Sequence, residues 1–187
     1  MTVSLVKGQN IPLAPQTTQV SVNLAWDPRV GVGADFDLDA VCFMLDATGK
    51  TRDDSDFVYY HQLSSPCGAV KHLGDDPSGD AGEKIQVNLA RLSNDIQKLA
   101  FAVSIYDAEK RGQNFGMARN ARIVLVDSQT ERSIAGFDLS EDACLETALV
   151  FGELYRYNGG WKFRALGERF AGGLKAVVHH FGLETTE

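Results

Sequence analysis

Long apolar runs are missing from this chain. None approaches the ~20 consecutive residues of a membrane-spanning helix, which excludes direct insertion into a bilayer by that route. The opening MTVSLVKGQNIPLAP also lacks the basic stretch and apolar block of an export signal, so we expect a soluble chain that stays in the cytoplasm. Cysteine is scarce: Cys42, Cys67 and Cys144 are odd in number and far apart, which excludes a disulfide framework and a zinc knuckle and suits a reducing compartment. Basic charge is short as well. Eighteen Lys and Arg stand against 25 Asp and Glu, a net charge of −7; general nucleic-acid binding draws on basic surface, so that class is set aside. Cations and basic partners fit better. No G-x-S-x-G and no phosphate-binding loop occurs either, which leaves no nucleophile elbow and no nucleotide cradle.

What is there reads as strands. With 187 residues and 44% hydrophobic content the chain can bury one sizeable core, and no linker, repeat or low-complexity segment divides it, so we expect a single domain over residues 1–187. Period-two and β-branched segments recur at Val20 to Trp26, Phe36 to Leu45, Phe57 to Tyr60, Ile85 to Leu89, Leu99 to Tyr106, Ile123 to Val126 and Leu149 to Tyr155. Gly, Pro, Asp and Asn clusters separate them, the pattern of a sandwich or a barrel. Asn158-Gly159-Gly160 before Trp161-Lys162-Phe163 predicts a hairpin that pairs the last two strands. Helical spacing is confined to a polar turn near Arg91 to Gln97 and to Phe170–Phe181, where Leu174, Val177, Val178 and Phe181 recur.

Two stretches concentrate acid. Gly33 to Ala40 reads GADFDLDA, and in an extended chain Asp35, Asp37 and Asp39 share one face while Phe36, Leu38 and Ala40 share the other. At ~7 Å spacing and an effective dielectric of ~20, each neighbouring pair of these charges costs on the order of 2 kcal/mol. A divalent cation would turn that repulsion into attraction. The second stretch, Gly74 to Glu83, reads GDDPSGDAGE and reads as loop: Asp75, Asp76, Asp80 and Glu83 alternate with glycines that permit the tight turns needed to aim several oxygens at one point. Calcium takes six to eight oxygens in irregular geometry, which two such segments can supply. Each stretch taken alone is also what an ordinary solvated strand face or turn looks like.

An EF-hand places ligands at loop positions 1, 3, 5 and 12, and Asp35, Asp37, Asp39 and Asp46 occupy them. The match fails at position 6, where Ala40 stands in place of Gly, and VCFML beyond it is a buried strand sequence. Other polar residues have plainer readings. His72 reads as a surface histidine at a strand end that could support the acidic loop, and His61, His179 and His180 show no ligand spacing with cysteine. Asp107, Glu109, Lys110 and Arg111 read as a solvated turn, Trp26 and Trp161 as core anchors, and Cys42 as buried. Asp27, in an Asp-Pro step that is also an ordinary turn, is a further candidate ligand.

The chain resembles the TerD family, the tellurium-resistance and stress-response domain of bacteria. The likeness runs through LAWDP near Trp26, DFDLDA from Asp35, DFVYYHQLSSPCGAV from Asp56, HLGDD from His72, IYDAEKRGQNFG from Ile105, FDLSED from Phe137 and ETALVFGELYRYNGGWKF from Glu146. The resemblance implies an all-β fold, a β-sandwich of two mainly antiparallel sheets with a short C-terminal helix, whose DFDLDA strand and acidic loop bind calcium. Asp35, Asp37 and Asp39 fall on the strand motif; Gly74, Asp75 and Asp76 fall on the start of the loop motif. The loop then departs from the family pattern, with Asp76 in place of Asn and a shortened PSGDAGE in place of a longer run to a DDE triplet. That removes acidic ligands and leaves one or two ions as alternatives, Asp80 being the residue that could compensate.

The resulting expectation is a non-catalytic Ca²⁺-binding domain whose metal ligands are Asp35, Asp37, Asp39, Asp75, Asp76, Asp80 and Glu83. By analogy with the family, its partners are other proteins of the Ter system, a membrane-associated component among them. Two alternatives come from other classes. A C2-like module would meet a membrane surface through calcium, although the flanks of the acidic stretches offer little basic charge beyond Lys71 and Lys84. A carboxylate-based hydrolase would need one acid of raised pKa set apart from an ionised partner, which so dense a cluster suits poorly.

Overall fold

The computed structural model describes residues 2–27, 37–75, 82–117, 119–139 and 145–184. In chain order the strands are β1 (Val3–Leu5), β2 (Asn10–Pro12), β3 (Gln19–Asp27), β4 (Leu38–Leu45), β5 (Phe57–Val58), β6 (Val70–Asp75), β7 (Gly82–Asn88), β8 (Lys98–Ile105), β9 (Arg119–Asp127), β10 (Arg132–Asp138), β11 (Ala148–Tyr157) and β12 (Gly160–Phe170). A four-residue helix α1 (Ala108–Arg111) follows β8, and α2 (Gly173–His180) follows β12. The strands form two six-stranded sheets. Sheet A has the order β1-β10-β9-β3-β7-β6 and sheet B the order β2-β12-β11-β8-β4-β5. Every pairing is antiparallel except β1 beside β10.

The alternation of each strand sorts its side chains between layers. Val20, Val22, Leu24 and Trp26 of β3 meet Leu38, Ala40, Cys42 and Met44 of β4 in the core between the sheets. The other face of β4 is apolar too, because α2 covers it: Val41, Phe43 and Leu45 pack with Val177, Val178 and Phe181. Ala100, Ala102 and Ala148 lie in the same cluster, and their small size lets the helix sit close to the sheet. Burial on both faces is why LDAVCFML reads as a continuous apolar run. An aromatic column extends this second core outward, with centroid spacings of 4.7 Å for Phe181–Phe43, 4.5 Å for Phe43–Phe57 and 4.3 Å for Phe57–Tyr59.

The hairpin expected at Asn158 forms. Asn158 and Gly159 both take positive φ, 48° and 78°, which suits the two-residue turn joining β11 to β12. The C-terminal helix is shorter than its apolar spacing predicts. Phe170 still belongs to β12, and the Gly172-Gly173 step delays the helix start.

Candidate metal centre

Four strand ends meet at one end of the sandwich. β3 runs out at Asp27, β4 begins at Leu38, β6 ends at Asp75 and β7 begins at Gly82. In sheet A, Ala25 stands opposite Gly82, and Glu83 lies between Leu24 on one side and Asp75 on the other. The acidic stretch Gly74–Glu83 is therefore less of a loop than its composition predicts: Gly74 and Asp75 finish one strand, and Gly82 and Glu83 start the next. Gly74 has φ of +74°, a left-handed conformation that costs little without a side chain, and a register shift between His72 and Asp75 accompanies it.

The aspartate strand obeys its alternation. Leu38 and Ala40 face the core between the sheets, so Asp37 and Asp39 share the outer face of sheet B with Val41 and Phe43. Asp37 is exposed. Its carbonyl accepts from the Tyr106 amide at 2.9 Å, while its carboxylate has no hydrogen bond or ion pair among the described residues. Asp39 is half-buried. Burial, together with the Asp39 charge nearby, holds the Tyr60 hydroxyl above its ordinary pKa.

Glu83 and His72 are buried behind these aspartates, with exposures of 7% and 5%. Glu83 Oε2 accepts a hydrogen bond from the Ala40 amide, and Oε1 lies 3.5 Å from His72 Nε2. His72 Nε2 is 3.0 Å from the Ala40 carbonyl, and the Gly74 amide donates to His72 Nδ1 at 3.0 Å. In the neutral ring this network puts the proton on Nε2, facing Ala40 and Glu83. Burial works against a charge on His72, but the hydrogen bond and field of Glu83 outweigh it and hold the pKa above the usual imidazole value. The expectation of a surface histidine at position 72 is thus overturned: its position puts it on the inward face of β6 with Val70.

Of the seven ligands expected from sequence, Asp35, Asp76 and Asp80 lie outside the described residues. Asp37 and Asp39 lie at the head of β4, Asp75 ends β6, and Glu83 is engaged by Ala40 and His72. Asp27 ends β3. Among the described residues no three His, Cys, Asp or Glu side chains form a metal-holding group. The donor chemistry that is present, carboxylate oxygens with one unpartnered at Asp37, fits a hard cation. The buried indole N–H of Trp26 finds no acceptor among the described residues. One residue before Asp27, it offers an anchor for a carboxylate, not for a metal.

Other sequence readings are resolved by the fold. Cys42 is fully buried, and burial pushes its thiol pKa far up, which makes it inert; Cys67 is exposed. Cys144 lies outside the described residues. Trp26 is a core residue, whereas Trp161 is only partly buried and carries the Arg156 guanidinium 4.6 Å above its ring. The charge run after β8 is the short helix α1, with Lys110 3.1 Å from Asp107.

A two-sheet β domain with carboxylates at converging strand ends defines the class. The chain belongs to the TerD family, whose domain matches residues 1–181. It is 45% identical over 192 aligned residues to tellurium resistance protein TerD of Serratia marcescens, covering 100% of both chains. It is 43% identical to general stress protein 16U of Bacillus subtilis (strain 168), covering 98% of this chain and 99% of that one. The crystal structure of a homologue of telluride resistance protein (TerD) from Streptomyces coelicolor A3(2) aligns with a TM-score of 0.69 at 22% identity. That alignment covers 87% of this chain and 95% of the homologue and shows the shared fold.

Proposed function

We propose that this TerD-family protein is a non-catalytic Ca²⁺-binding protein of the tellurium-resistance and stress-response system, working in the cytoplasm. The observation that carries the reading is the Asp37 carboxylate. It is exposed and unpartnered among the described residues, two positions from Asp39, on the strand whose Ala40 is bonded to the far end of the Gly74–Glu83 segment. Asp35, Asp37 and Asp39 from the strand and Asp75, Asp76 and Asp80 from the second segment are the ligands we assign. Bound calcium supplies the positive charge that offsets repulsion among these carboxylates.

The chain's own part is to hold the head of β4 against β6 and β7, where His72 and Glu83 reach Ala40. Ordering that end fixes a surface for a partner, the way charge cancellation fixes mobile segments in calcium switches. Tyr60, near Asp39, and Tyr106, bonded through its amide to the Asp37 carbonyl, are each more than 40% exposed and give such a surface its apolar part. Other Ter-system proteins, at a membrane-associated complex, are the partners we propose. The relatives' names point to resistance and stress response, and carboxylates this dense hold a cation better than a single catalytic proton.

Titration calorimetry of chelator-treated protein with CaCl₂ tests this reading. We expect saturable binding of one or two ions per chain. A flat titration with correctly folded protein ends the proposal.

A further inference from the structure

We infer that His72 and Glu83 are positioning residues, a side-chain splice that holds the aspartate strand to the Gly/Asp segment, with Glu83 acting there and not as a cation ligand. In its effect on calcium this inference rests on the reading above.

The argument starts at the edge of β4. One edge is paired with β8 along its whole length, from Leu38 opposite Ile105 to Leu45 opposite Lys98. The other edge is paired with β5 only at Cys42 and Phe43. Nearer the aspartates no strand among the described residues continues that ladder, and a buried amide and carbonyl without partners would cost stability. At Ala40 two side chains from the opposite sheet take the missing strand's place. Glu83 accepts the Ala40 N–H, and His72 meets the Ala40 carbonyl at 3.0 Å.

The same histidine reaches the second acidic segment, because the Gly74 amide donates to its Nδ1 at 3.0 Å. A continuous chain of bonds therefore runs from Ala40, covalently next to Asp39, through the imidazole to Gly74, covalently next to Asp75. Both oxygens of Glu83 face protein partners in this arrangement, Oε2 toward Ala40 and Oε1 toward His72. Moving either residue shifts one acidic segment relative to the other, and ligand geometry is sensitive to that offset.

Three variants test the splice. Glu83→Gln keeps an acceptor for Ala40, Glu83→Ala removes it, and His72→Ala leaves every acidic residue in place. Without metal, we expect the Ala40 amide to exchange hydrogen about tenfold faster or more in Glu83→Ala, with Phe101 in β8 unchanged, since an unsatisfied buried partner is worth about a factor of ten. In calcium titrations Glu83→Gln should stay within about threefold of wild type, while Glu83→Ala and His72→Ala weaken binding about tenfold at unchanged stoichiometry.

Loss of an ion in Glu83→Gln would make Glu83 a ligand and overturn the inference. Calcium affinity unchanged in both alanine variants would reduce the pair to local structure and also overturn it. Should Glu83→Ala not fold, His72→Ala decides alone. Wild-type protein that takes up no calcium sinks the metal reading, whereas the splice then stands or falls on exchange at Ala40.

Discussion

Asp37 and Asp127, at opposite ends of the sandwich, use their carboxylates in opposite ways. Where β4 finishes and β9 turns into β10, each aspartate is surrounded by local donors. Asp46 accepts from the Thr48 amide at 2.7 Å, the Thr48 hydroxyl at 2.6 Å and the Lys50 amide at 3.3 Å. Asp127 accepts from the Thr17 hydroxyl at 2.9 Å and from the amides of Gln129 at 2.9 Å and Thr130 at 3.2 Å. At the opposite end the Asp37 carboxylate has no such partner among the described residues, while Glu83, behind it, accepts from the Ala40 amide. One end spends its carboxylates on holding turns. The other leaves the Asp37 carboxylate available among the described residues, which is what a cation site requires and a turn does not.

Substitutions at the two ends should therefore separate cleanly. A ligand that binds only the native state at 100 times its Kd adds about 2.7 kcal/mol of stability, and Asp37→Asn should forfeit most of that increment. Its calcium-free stability should match wild type, as read from urea unfolding with and without CaCl₂; an undiminished calcium response would remove Asp37 from the ligand set. Asp127→Ala should behave the other way. Loss of three hydrogen bonds to one carboxylate should cost about 1–2 kcal/mol whether or not calcium is present. A calcium-dependent cost there would erase the contrast between the ends.

Much of the fold was legible because alternation and burial agree. Each of the seven strands read from period-two and β-branched pattern exists, and VCFML, read as a buried strand, is one, covered on both faces. β1 and β2 escaped notice because three residues carry no period. β6 and β10 escaped because VKHLGD and RSIAGFD mix glycine and charge into the alternation. Pairing partners, not composition, make them strands.

At the site, the exposed face of Asp37 and Asp39 followed from parity. The engagement of Glu83 did not, because its partner is a backbone amide 43 residues away in the other sheet. One signal was available for His72: it shares parity with Val70, and alternation alone would have turned it inward.

The finest discriminator between the ends is acid. Asp127 is buried, which works to raise its pKa, yet its hydrogen bonds from Gln129, Thr17 and Thr130 prevail and hold it below the ordinary 3.8. Asp46 and Asp53 are lowered too, chiefly by the hydroxyls of Thr48 and Ser55. A carboxyl whose folded pKa lies below its unfolded one contributes stability that is complete above the unfolded value and is lost as pH falls through the folded value. Below about pH 4 the wild type should thus lose stability that Asp127→Asn, lacking this titration, never had. The gap between them in urea midpoint should shrink steadily from pH 5 toward pH 2. A gap constant across that range would mean that the turn does not depend on the Asp127 charge.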